Sequence, residues 1–178
     1  MVPPSIQDVF LLRFLKIERL NGFCEGMAQR FIKENRMYKR VLFATDFDDV
    51  GISAAHKAKK IADENNAELI LVHVVEPIPA YAYPGFAGFA EVEVSIREQA
   101  EKELNALAER LGVDAKHRLL EFGSTKNEVL RVAQEYHADL IVTGSHGKHG
   151  LALLLGSTAN AILHGAECDV LIVRSISP

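Results

Sequence analysis

Ala138-Asp139-Leu140-Ile141-Val142-Thr143-Gly144-Ser145-His146-Gly147 is the stretch that decides the fold. Its apolar run, Leu140 to Val142 with Thr143, enters a glycine-rich turn that continues through Lys148, His149 and Gly150. Gly156-Ser157-Thr158 follows, with the composition of a helix start. A buried strand that feeds a glycine turn and then a helix start is how a parallel sheet presents backbone amides to phosphate. Glycines let the backbone approach an anion and reach positive φ. The first helical turn adds N–H donors without partners and a partial positive charge. Ser157 and Thr158 add hydroxyl donors. A tight turn followed by an ordinary helix cap would use the same residues.

Outward from this stretch, strand and helix patterns alternate. A first strand is expected over Val41–Thr45, then a helix over 51–65 with Ile52, Ala55, Ala58, Ile61 and Ala62 on one face. The second strand is Glu68 to Val75. A long loop rich in Pro and aromatic residues, 77–90, leads to an amphipathic helix over 91–111 that stops at Gly112. That loop would either cover a ligand or offer a partner surface. A third strand over 116–121 precedes a helix over 126–136, capped by Ser124 or Thr125, with Glu128 placed for a capping box. The fourth strand is 139–143. The last helix runs from Ser157 to His164, and the fifth strand from Asp169 to Val173.

The strands are short and nearly all apolar, so helices must cover both faces. Alternation at this spacing predicts an α/β fold, a doubly wound five-stranded parallel sheet of order 3-2-1-4-5. The winding then reverses between the first and fourth strands, where such sheets bind ligands. Two loops meet there: Thr45-Asp46-Phe47-Asp48-Asp49 and the glycine loop. Residues 1–36 stand outside the alternation. They read as sequence upstream of a start at Met37, as a helix packing on the domain or a partner, or as a disordered stretch; residues 37–178 form the domain.

With 178 residues and 48% hydrophobic content, the chain is long enough for one domain with a real core. A net charge of −4 and no basic run argue against nucleic acid as partner. Cys24 and Cys168 lack metal-ligand spacing and read as free thiols. No apolar stretch reaches the ~18–20 residues that span a bilayer, so no membrane association is expected. His146 and His149 have no further ligand nearby in sequence, so no metal site is expected, and His73 reads as a core histidine. No base–nucleophile pair or Gly-x4-Gly-Lys-Ser/Thr loop is present, so no catalytic residue is assigned and any hydrolysis should be slow.

The stretch from Met37 to Arg174 resembles the universal stress protein family, most closely its bacterial A-type members. Four pieces carry the likeness: Ala44-Thr45-Asp46, Val72-His73-Val74, Ala138 to Val142, and Gly144-Ser145-His146-Gly147 through Gly156-Ser157-Thr158. Nucleotide-binding members have nine residues between the second and third glycines, where this chain has eight, Lys148 to Leu155. The resemblance implies a cytoplasmic stress protein that binds ATP or AMP. Magnesium, which needs only one or two protein ligands, would bridge phosphate and a carboxylate; Asp46, Asp48 and Asp49 are the nearby acids, the last two reading as solvated. Ala44 and Val74 would flank the adenine. Asp46 would reach the adenosine, although a turn aspartate capping the next helix is the simpler reading. Gly144 to Gly147 and Gly156 to Thr158 would hold phosphates. The alternative is an interaction protein of the same family that has lost nucleotide. The edge strand Asp169–Val173 needs a partner, and pairing with a second copy would make a two-fold homodimer, as in the family. Other protein partners are not identified by the residues.

Overall fold

The computed structural model describes residues 37–77, 89–145 and 155–174. Contacts separate Met1–Met37 from Tyr38–Pro178, and every element below belongs to the second unit. In chain order they are β1 (Arg40–Ala44), α1 (Asp49–Asn65), β2 (Glu68–Val75), α2 (Phe89–Leu111), a 3-10 turn (Ala115–His117), β3 (Arg118–Phe122), α3 (Thr125–Glu135), β4 (Leu140–Gly144), α4 (Ser157–Gly165) and β5 (Asp169–Val173). The readings of 1–36, of most of the 77–90 loop, and of His146, Gly147, Lys148 and His149 lie outside the described residues.

The five strands form one parallel sheet in the order β3-β2-β1-β4-β5, as the alternation requires. Val41 lies opposite Leu140 and Ala44 opposite Thr143, so β1 and β4 end level and their exit loops emerge side by side. Period-2 alternation sorts the strand residues onto two faces. Val41, Phe43, Leu71 and Val142 pack under α1 and α2, with Ala58, Leu104 and Ala108 above them. Leu42, Ile70, Val72, Val74 and Ile141 pack under α3 and α4, with Val129, Val132 and Ile162. Each fully buried aliphatic side chain of this kind contributes about 1.5–3 kcal/mol by leaving water.

Two local expectations are corrected. Ile52 does not join the buried face of α1. It is 37% exposed, while Ala54, Ala55, Ala58 and Ala62 are at most 2% exposed. The helix turns its small residues to the sheet, which places Ile52 on the rim. The capping box at α3 is not formed either. Ser124 is the N-cap but makes no side-chain cap bond, and Glu128 instead accepts from Arg131 Nε at 2.8 Å. The expected stop at Gly112 is present: its φ is +66°, and Val113 N–H reaches back to Ala108 O at 2.9 Å. Left-handed backbone of this kind is what glycine supplies after a helix.

Candidate functional site

Thr45 and Asp46 follow β1 directly. Thr45 N–H still donates to Val72 O at 3.0 Å, extending the sheet by one bond. Its hydroxyl then accepts from Phe47 N–H at 3.1 Å, which starts a tight turn. Phe47 adopts φ +58°, a conformation that costs a non-glycine residue about 1 kcal/mol or more. Its ring lies 4.3 Å from the His73 ring, and His73 Nδ1 is 2.7 Å from Thr45 O. His73, half-buried on β2 rather than in the core, therefore braces the turn.

Asp48, not Asp46, caps α1. Its carboxylate accepts from Gly51 N–H at 2.5 Å. The simpler reading of Asp46 as the helix cap is thus set aside. Asp46 instead sits partly buried, with Oδ1 3.5 Å from Asp48 N. Burial first, and then the neighbouring Asp48 carboxylate, push the Asp46 carboxyl up to about 6. Loss of hydration and a nearby like charge both disfavour the ionised form.

On the β4 side, Ser145 N–H donates to Val173 O at 2.8 Å, and Gly156 N–H donates to Ser145 O at 2.9 Å. This second bond ties the start of α4 to the end of β4, across the residues between them. Gly156 is the N-cap of α4 and supplies no side-chain cap bond. The first amides of a helix have no acceptor within it, so those of α4 stand at the mouth of the sheet.

These groups surround one cleft of about 580 Å³. Ala44, Thr45, Asp46, Val74, Gly144, Ser145, Gly156, Ser157 and Thr158 all line it. His146 and Gly147, the remaining two residues singled out from the sequence, lie outside the described residues. Sequence reasoning missed Val72, Glu76, Thr125, Val129, Thr143, Ala159 and Ile162, which line it too. Val72 and Glu76 had a signal: they flank Val74 at period 2. Thr125 and Val129 come from α3, whose approach depends on packing. Glu76 Oε1 accepts from Thr125 N–H at 3.0 Å and from its hydroxyl at 2.7 Å. These two bonds hold the Glu76 carboxyl below the usual carboxylate range. Among the described residues no group of three or more ligating side chains could hold a metal ion, and no helix is long and apolar enough to cross a membrane.

Residues 37–174 match the Universal stress protein family. Universal stress protein A homolog 2 of Coxiella burnetii is 42% identical over 139 residues, covering 77% of this chain and 95% of that one. Universal stress protein MJ0531 of Methanocaldococcus jannaschii is 34% identical over 173 residues, covering 95% and 97%. The latter alignment is longer than the stretch from Met37 to Pro178, so it enters the first 36 residues. Among solved structures, a universal stress protein in complex with cAMP aligns with TM-score 0.52 and 28% identity, over 77% of this chain and 97% of that one. A strand order, a set of exit loops and a sequence match over more than three quarters of the chain thus agree: the chain belongs to the universal stress protein family.

Proposed function

We propose that the cleft binds an adenine nucleotide, ATP or AMP, and that the protein works as a dimeric signalling or protective module in the cytoplasm during stress. One observation carries the reading. An apolar floor, a partly desolvated carboxylate and an uncapped helix start, brought from five separate segments, line a single cleft. Small-molecule sites are concave, mostly apolar and hold a few placed polar groups, within about 300–1,000 Å³. The cAMP-bound relative supports a nucleotide as the occupant.

Each part has a matching role. Ala44, Val72 and Val74 offer apolar surface to a base. Asp46 accepts hydrogen bonds from ribose hydroxyls. The amides of Ser157 and Thr158, with the two α4 hydroxyls, face the phosphates, and Gly144 and Ser145 line the cleft beside them. His146 and Gly147 belong to the same loop by sequence. Magnesium would be held mainly by phosphate and water, with one carboxylate such as Asp46, since it needs only one or two protein ligands. No chemical step is assigned to the site.

Calorimetry with ATP, AMP and ADP, with and without magnesium, tests this. Micromolar ATP binding is expected, about −8 kcal/mol. Absence of heat and of thermal stabilisation at millimolar ATP would leave the other reading, an interaction protein without nucleotide.

The edge of the sheet supports the dimer reading. Among the described residues β5 pairs only with β4 and so ends the sheet. Val170, Leu171 and Ile172 on it remain partly exposed. An apolar edge invites pairing with another chain, and a second copy would close it by two-fold symmetry. Ile172→Pro removes an edge donor and should convert a dimer in gel filtration to monomer or aggregate; a dimer that persists excludes this interface.

A further inference from the structure

Glu76 stands one residue beyond β2, and its neighbours decide what it can do. Val72, Val74 and Glu76 alternate along one side of the strand and its extension, and all three line the cleft. The strand order places β1 between β2 and β4. Glu76 therefore marks one flank of the cleft, and the start of α4, which follows β4, marks the other. The helix start attracts anions, whereas a carboxylate repels them. A nucleotide in this cleft has only one favourable orientation: phosphates toward α4, base beside Val74 and Glu76.

Both Thr125 bonds to Glu76 end on the same oxygen, Oε1. They fix the carboxylate and occupy half of it. Among the described residues Oε2 has no hydrogen-bond partner. An ionised carboxylate only accepts. With one oxygen free it can satisfy one N–H of a base. The paired N–H groups on the edge of guanine require both oxygens of a carboxylate, which Thr125 prevents. Adenine presents a single exocyclic amine.

We propose that Glu76, oriented by Thr125, is a specificity-determining residue that accepts a hydrogen bond from the 6-amino group of adenine. This rests on the nucleotide reading above. The nearest alternative role is structural, with Glu76 doing no more than satisfying the first amide of α3.

The test is calorimetry with ATP, with GTP, and with purine riboside 5′-triphosphate, which lacks only the 6-amino group of ATP. The wild-type protein should favour ATP over both others by about tenfold, the scale of one hydrogen bond to a charged acceptor. In Glu76→Gln the side-chain oxygen stays with Thr125 and an N–H₂ group turns to the base. ATP should then weaken about tenfold while purine riboside triphosphate is unchanged, so the preference disappears. Thr125→Val removes the hydroxyl bond and leaves the backbone amide bond, so the carboxylate is held by one contact instead of two, and the variant should lose part of the preference and gain GTP binding. This variant also answers the question if Glu76→Gln does not fold. Equal weakening of all three nucleotides in Glu76→Gln, or no wild-type preference for ATP, overturns the assignment and leaves the cleft reading standing. No binding of any nucleotide by the wild type overturns both.

Discussion

Two helices begin at the same end of the sheet, and they begin differently. α1 starts with Asp48, whose carboxylate takes up the Gly51 amide. α4 starts with Gly156, which has no side chain to do so. The first helix closes its own positive end; the second leaves it toward the cleft. α3 is a third case, because a residue from another strand, Glu76, satisfies its Thr125 amide. Self-sufficiency at a helix start favours stability, and a start left open favours a ligand. The comparison locates binding capacity by which donors the chain has declined to satisfy itself.

The strongest way to break the contrast is to make α4 begin as α1 does. Gly156 has φ −58° and ψ 150°, which an aspartate tolerates as N-cap. Gly156→Asp should cap the helix and set a negative charge where phosphate would lie. Calorimetry should show ATP affinity falling by about a hundredfold or more, about 2.7 kcal/mol, with urea stability unchanged or slightly raised.

Asp46→Asn sharpens the same contrast at the β1 side. Burial, and then the Asp48 carboxylate, push the Asp46 carboxyl up to about 6 from an ordinary value of 3.8. The native state therefore holds this proton more tightly than the unfolded chain does. The group's favourable contribution is complete below 3.8 and is lost as pH rises to about 6. Asp46→Asn should then stabilise the ligand-free protein at pH 7.5 by about 1 kcal/mol, after allowing for partial exposure, and have little effect at pH 4. The same variant should weaken ATP about tenfold, and wild-type ATP affinity should decline as pH falls below about 6.

The smaller effects separate a working cap from a nominal one. Asp48→Ala should cost about 1 kcal/mol in urea unfolding and bring the Asp46 carboxyl back toward its ordinary value, readable by NMR titration. Ser124→Ala at the start of α3 should cost only a few tenths of a kcal/mol, because that serine makes no cap bond.

Much of this was legible in the residues because the strands are continuous apolar runs with clear punctuation. Gly112 stops α2 through a conformation that other residues avoid, and Leu140 to Thr143 enters the glycine turn without an intervening polar residue. The site was readable wherever a loop leaves a strand, as at Asp46 and Gly156. It was not readable where a partner arrives from another element. Nothing local distinguishes Asp46 from Asp48 as the helix cap, since both are acids at a turn. Glu128 has capping-box spacing, yet Arg131 lies one turn along the same helix and competes for its carboxylate. Thr125 meets Glu76 across 49 residues of sequence, a pairing that only the packing of α3 on β2 creates. Ile52 was misplaced by a single step around a helix whose alanines are too small to advertise which side is inward.

The left-handed turn at Phe47 bears on how far one aspartate can be trusted as a signature. The heading of Asp46 depends on the backbone reversal at Phe47, on the ring behind it, and on the imidazole of His73 clasping the Thr45 carbonyl. Three letters in two distant parts of the chain thus aim one carboxylate. A cousin that kept the acid but exchanged the aromatic or the imidazole would spell the motif correctly and point it elsewhere.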